Sequence, residues 1–270
     1  MPFPQAIKSP VYRLITALAG DQDRMVTLPV LAGPAKGLRF RGDLIKRKEA
    51  YIYTGRHETD VLQTIMPFIK PGWVIWDCGT YLGYYTSFFA KAVGTAGKVV
   101  AIEMDRRNLA RTQENAQLNG FTNVQYVNAG LGAPVGMVEF VMDDTTNSHL
   151  PGTYVGGPEM RAVWEKRDAG KQRERVEVIS LDQALLEKKL PKPDLIKIDI
   201  DGSEKDALAH GEHMFERVRP RVLLELHNPE CDRAAWDFSR LYRYELRSAE
   251  TRQLVDSPSS VGGTLLCSPL

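Results

Sequence analysis

The sequence predicts an α/β fold, a mostly parallel sheet with helices on both faces. Three stretches predict it. Residues 73–76 form a short apolar run of strand type after the turn signal Pro71-Gly72. That run closes on Asp77 and turns at Gly79. From Leu82 the apolar residues Leu82, Tyr85, Phe88, Phe89 and Ala92 recur at helical spacing. Residues 98–102 repeat the strand type and end on Glu103, and a helical pattern follows over 106–118. Residues 195–200 and 221–226 read as buried parallel strands. Strand, turn and helix in this order build an open sheet whose ligands gather at the carboxyl ends of the strands.

Taken from the start, residues 1–50 read as an N-terminal extension. A short helix is expected at 11–18, and turns around a short strand at 38–40. Arg39, Arg41, Lys46, Arg47 and Lys48 make a basic cluster, read as a solvated face with phosphate or substrate contact as the alternative. Residues 59–69 have the spacing of an amphipathic helix. The helix at 106–118 meets a left-handed stop at Asn119-Gly120. Residues 123–127 are a third strand, and 135–142 alternate loosely as a further one.

Residues 143–173 are too long for an ordinary connection and read as a substrate-facing lid anchored by Trp164. Asp143, Asp144 and His149 within it are weak evidence for a metal. A strand is expected at 175–179, and the Ser180/Gln183 capping box starts a helix over 181–189. Ser203 is expected to cap a helix that ends at Gly211. A helix over 231–242 and a closing hairpin of 244–249 with 263–268 complete the chain.

The glycine turn narrows the ligand. A dinucleotide fingerprint needs Gly-x-Gly-x-x-Gly, but Tyr81 and Tyr84 stand at the second and third places, and no phosphate-loop Lys follows. Asp77-x-Gly79-x-x-x-Gly83 instead resembles the first motif of class I S-adenosylmethionine-dependent methyltransferases. The resemblance implies that Asp77, Gly79, Tyr81 and Gly83 line that cofactor. Glu103, at the tip of the second strand about 20 residues on, is placed to accept hydrogen bonds from a ribose diol. Asn128 has two readings, a bond to the adenine amino edge or a turn-forming Asn satisfied by local backbone. Tyr53 and Glu58 are candidates to close over the cofactor pocket.

Asp77-x-Gly79-x-x-x-Gly83, Glu103, the run from Lys197 through Asp199, Asp201 and Gly202 to Glu204, and Leu224-Glu225-Leu226-His227 together resemble the FkbM family of methyltransferases from about Tyr51 onward. Asp201 departs from the Glu that the family commonly shows, and Cys78-Gly79-Thr80 from its commoner turn. The resemblance implies a methyltransferase domain over 51–270. It also implies a seven-stranded sheet with an antiparallel C-terminal strand, and O-methylation of a hydroxyl on a sugar or secondary metabolite.

A hydroxyl acceptor needs its proton taken. His227 has the suitable ordinary pKa and is the expected base, with Asp199 second. Asp199 and Asp201 project to one face of an extended strand but alone do not complete a divalent metal site, so no metal ligand is assigned and a metal-dependent variant is left open. Expected partners are a small-molecule or glycan acceptor, with a homodimer left open. The alternatives are an N-methyltransferase acting on RNA or protein and a non-catalytic S-adenosylmethionine-binding module.

Composition excludes other classes. Of 270 residues 26% are charged, and the net charge is +1, so no global field draws in nucleic acid or an anionic membrane. Cys78, Cys231 and Cys267 are too scattered for a disulfide framework or a zinc site and suit a reducing compartment. No signal-peptide pattern and no run long enough to span a bilayer is read, so the expected setting is the cytosol.

Overall fold

The computed structural model describes residues 25–44, 46–142 and 148–270, with the Arg47 side chain left aside. The helix expected at 11–18, and Asp143 and Asp144, lie outside them. The chain divides into two compact units, residues 1–59 and 60–270.

In the first unit β1 (Met25–Pro29) and β2 (Arg39–Asp43) form an antiparallel hairpin, followed by α1 (Arg47–Thr54). The sequence reading found the second strand and missed its partner. Tyr53 on α1 donates its hydroxyl to the carbonyls of Val26 and Phe40, at 3.0 and 3.3 Å, which ties the helix to the hairpin. Its hydroxyl thus serves the interior of this unit. Glu58 lies 3.1 Å from the His57 imidazole.

The chain continues into α2 (Thr59–Ile65). The helix expected to reach residue 69 stops at Ile65 and tightens into a 3₁₀ turn over Met66–Phe68, because Pro67 has no amide to donate. The second unit then runs through β3 (Val74–Cys78), α3 (Tyr84–Val93), β4 (Lys98–Glu103), α4 (Arg106–Leu118), β5 (Val124–Asn128), β6 (Gly130–Leu131) and β7 (Gly136–Val141). It continues with α5 (Met160–Asp168), β8 (Arg173–Ile179), α6 (Leu181–Leu186), β9 (Leu195–Ile198) and α7 (Glu204–Ala209). A π-turn over Met214–Val218 leads to β10 (Arg221–Glu225), α8 (Pro229–Tyr242), β11 (Tyr244–Ser248) and β12 (Thr264–Pro269).

Seven of these strands make one sheet in the order β11-β12-β10-β9-β3-β4-β5. β10, β9, β3, β4 and β5 are mutually parallel neighbours, and β12 runs antiparallel to both β10 and β11. The chain builds outward from β3 through β4 to β5, then returns to the other side of β3 with β9 and β10. The order therefore reverses between β3 and β9, where a crevice opens at the carboxyl ends of the strands. Trp76, Ile102, Ile198 and Leu224 from adjacent strands are buried in one core with Phe215 and Phe238. Each such side chain contributes about 1.5 to 3 kcal/mol of burial.

The two further strands read from the sequence pair with each other instead of joining this sheet. β7 is antiparallel to β8, with Val138 opposite Val176, and β6 adds to the other edge. Between β7 and β8, His149 is fully buried and lies 2.8 Å from Asp168. Trp164 meets the imidazole edge-on at 4.8 Å. Among the described residues no helix is long and apolar enough to cross a membrane, and the three cysteines are free and buried.

Candidate active site

The glycine turn after β3 is braced from beneath. Asp77 is fully buried, and its Oδ2 accepts from the Thr86 hydroxyl at 2.5 Å. Its register partner on β9 is Lys197, whose ammonium lies 3.4 Å from Oδ1. That contact is an ion pair without an aligned hydrogen bond. Burial pushes the Asp77 carboxyl up, against the Lys197 charge and the Thr86 bond. Asp77 therefore supports the turn and is not on the open rim where the sequence reading put it.

The turn itself leaves no room for side chains. Gly79 has φ +80°, and a Cβ there would stand 1.7 Å from the Asp199 carbonyl oxygen. Gly83 has φ +82°, and its Cβ would stand 2.9 Å from the Thr112 Cα. Between them Tyr81, at φ +53°, donates its amide to Glu103 Oε2 at 3.0 Å.

Glu103 closes β4, and its other oxygen accepts from the Asp105 amide at 3.0 Å. Burial pushes its carboxyl up to about 7 against these two amides, with the charges of Asp105 and Asp201 adding to the rise. Each carboxylate oxygen keeps a second lone-pair direction, so the group fits a ribose diol. Asn128, the register partner of Glu103, donates its amide to the Glu103 and Met104 carbonyls, both at 2.9 Å, and accepts from Arg106 at 3.0 Å. Its amide thus braces the turn after β4 across the strands, and not its own local backbone as one of its two readings had it.

Because β9 and β10 are parallel neighbours, Asp199 and His227 meet just past their ends. His227 Nε2 lies 3.6 Å from Asp199 Oδ1 and 3.8 Å from both Asp201 Oδ1 and Glu225 Oε1. Its Nδ1 is 2.9 Å from Oε1 of the fully buried Glu204. Burial by itself would lower this imidazole, but the Glu204 hydrogen bond and the charges of Glu204, Asp199 and Asp201 outweigh it and raise His227 to about 10. At neutral pH the ring is an imidazolium and has no lone pair to receive a proton. A pKa raised this far favours the protonated ring and weighs against the expected ranking of His227 above Asp199 as base. Glu225 lies within ion-pair range of the ring, while Glu204 supplies the orienting bond.

Glu204 also accepts from the amides of Ile200 and Gly202, so it fastens the turn after β9. Ser203 makes no capping bond, contrary to its expected role. One set of atoms from Asp199, Glu225 and His227 falls within 4.8 Å, spacing that a divalent ion would use. An ion there would first have to displace the imidazolium proton.

The segment 148–158 is fastened to this rim. Ser148 donates to Asp105 at 2.7 Å, the Gly156 amide to the His227 carbonyl at 2.7 Å, and Asn228 to the Tyr154 carbonyl at 3.0 Å. Beside it a cavity of about 230 Å³ is lined by Leu150, Tyr154, Gly202, Lys205, Asn228 and Glu230. Lys205 pairs with Glu230, and Tyr154 also reaches Glu230, at 3.3 Å. His149, weighed as a metal ligand, is engaged with Asp168.

Sequence reasoning gave no role to Lys197 or Glu204. Lys197 did carry a signal, since a lysine inside the apolar run Leu195-Ile196-Lys197-Ile198 must find acidic partners when buried. Nothing local marked the bond from Glu204 to His227, which is 23 residues away.

A methyltransferase FkbM domain model matches residues 77–251. No curated protein matched the chain. Among solved structures, precorrin-6y C5,15-methyltransferase of Geobacter metallireducens GS-15 is similar at 12% identity and TM-score 0.44, over 79% of this chain and 87% of that one. Methyltransferase FkbM of Methylobacillus flagellatus KT is similar at 15% identity and TM-score 0.43, over 82% of this chain and 54% of that one. A SAM-dependent O-methyltransferase of Thermotoga maritima is similar at 13% identity and TM-score 0.42, over 78% and 64%.

Proposed function

The chain belongs to the FkbM methyltransferase family, and we propose that it is an O-methyltransferase acting on a hydroxyl of a small-molecule or glycan acceptor. One observation carries this reading. Asp199, beside the glycine turn, is a partly exposed carboxylate with an ammonium 3.1 Å away on one side and an imidazolium 3.6 Å away on the other. Bound S-adenosylmethionine supplies a methyl group made electrophilic by its sulfonium. The Gly79–Gly83 turn and Tyr81 would hold it, with Glu103 on the ribose hydroxyls.

A hydroxyl oxygen becomes a competent nucleophile as its proton is shared. Asp199 is assigned as the acceptor of that proton, because His227 already carries one at neutral pH. His227 and Lys197 keep the carboxylate in place and offset its charge. Alignment of the reacting groups contributes roughly 7 to 11 kcal/mol in such reactions, and a base adds about 10² to 10⁴-fold. The cavity beside Gly202 and Asn228, with an aromatic ring and a Lys–Glu pair, suits a polyhydroxylated acceptor.

The test is label transfer from methyl-tritiated S-adenosylmethionine to a panel of glycosides and hydroxylated small molecules. Asp199→Asn should lose about 10² to 10⁴ in turnover while S-adenosylhomocysteine affinity stays near wild type. Label recovered on nitrogen would overturn O-methylation. Full activity of Asp199→Asn, with activity lost in His227→Gln, would overturn the assignment of the base.

A further inference from the structure

We propose that Lys197 is a positioning residue of the transfer reaction: its buried ammonium joins the glycine turn to Asp199 and sets the charge and aim of that carboxylate. The proposal rests on the reading of Asp199 as proton acceptor. Lys197 is 3% exposed, in the middle of β9, where its register neighbours are Asp77 on β3 and Leu223 on β10. Its ammonium is 2.9 Å from the Gly79 carbonyl, 3.1 Å from Asp199 Oδ2 and 3.4 Å from Asp77 Oδ1. The Tyr85 ring centroid lies 5.1 Å away.

Burying an ammonium costs several kcal/mol, and one carboxylate with a carbonyl would serve to offset it. Here the charge is set between two carboxylates. One, Asp77, is sealed in the core; the other, Asp199, is 29% exposed at the rim. By holding Oδ2, Lys197 leaves Oδ1 directed to the side where His227 stands at 3.6 Å. By donating to the Gly79 carbonyl it fixes the turn on which Asp199 also leans through its backbone oxygen. Donor turn and proton acceptor are thus indexed to one another through a single side chain.

The charges facing Asp199 come from every side. Lys197 shares its strand, Asp77 stands on β3, and His227 with Glu225 lies at the end of β10. Asp201 follows in the next turn, and Glu204 sits behind the imidazole. The acids outnumber the bases, so removing Lys197 leaves Asp199 in a field of like charge, and its proton affinity must rise.

The experiment is titration of the Asp199 γ-carbon by NMR, with aspartate labelled at that carbon and the resonance assigned by its loss in Asp199→Asn. In Lys197→Met the midpoint should rise by about one unit or more, a tenfold gain in proton affinity. Binding of S-adenosylhomocysteine, measured by calorimetry, should weaken about tenfold as the Gly79 carbonyl loses a charged donor. Lys197→Arg, which keeps the charge, should leave the midpoint near wild type. Should Lys197→Met fold poorly, Asp77→Asn with Lys197→Met removes both buried charges, and the midpoint should still rise because the nearer charge dominates. An unmoved midpoint in a folded Met variant, or an Arg variant that moves it as far as Met, overturns the role of Lys197. S-adenosylhomocysteine that fails to bind even the wild type overturns the reading of the site itself.

Discussion

Glu103 is under two opposed demands. The ribose contact proposed for it calls for an ionised acceptor, while its burial favours the neutral acid and brings it from an ordinary 4.5 to about 7. Folding therefore takes up a proton between those values. The stability cost of this group appears as pH rises from 4.5 and is complete above 7, at roughly 3 to 4 kcal/mol at most. We expect S-adenosylhomocysteine affinity, followed by calorimetry, to rise about tenfold from pH 6 to pH 8 and to be flat in Glu103→Gln. His227 also has a raised folded pKa, so its contribution likewise falls as pH rises, in a higher window. Raised from 6.5 to about 10, it contributes stability that is fully present below 6.5 and is lost as pH rises through 10. Thermal melts should show the wild type losing stability between pH 7 and pH 10 more steeply than His227→Gln. A parallel decline in both proteins would mean that the carboxylates around the ring do not hold its proton.

At the scale of elements, the glycine turn is where backbone and packing agree. Gly83 starts α3 in a left-handed conformation and faces the backbone of α4 at Thr112. Gly83→Ala adds backbone strain to a collision between two helices, and should cost about 2 to 4 kcal/mol by denaturant titration. A loss below about 0.5 kcal/mol would show that the helices yield. Several elements were legible for local reasons. The capping box at Ser180 forms as read, and α4 starts at Asp105, whose side chain accepts from the Arg107 amide. The helix after Ser203 begins where expected, yet Ser203, at ψ 5°, is not in the extended cap conformation, and the Asp206 amide goes to its carbonyl instead of its hydroxyl.

The whole molecule carries a net charge of +1 while its crevice gathers Glu103, Asp199, Asp201 and Glu225. An RNA backbone would meet acid there without compensating basic surface on average, so a gel shift with a short RNA at 150 mM salt should show no complex below about 100 µM protein. A complex in the low micromolar range would bring RNA methylation back as a reading. What the sequence determined by itself was the alternation of strand and helix, the glycine turn, and the acids at the strand tips. All of these follow from patterns within some ten residues. Tertiary structure decided what those acids do. Strand order set Lys197 beside Asp77, and the β9–β10 pairing gathered carboxylates around His227. Burial then made Asp77 a brace beneath the turn, and the acids gathered around His227 raised its pKa against burial. Ionisation depends on neighbours and on solvent, and both are fixed only when distant strands pair.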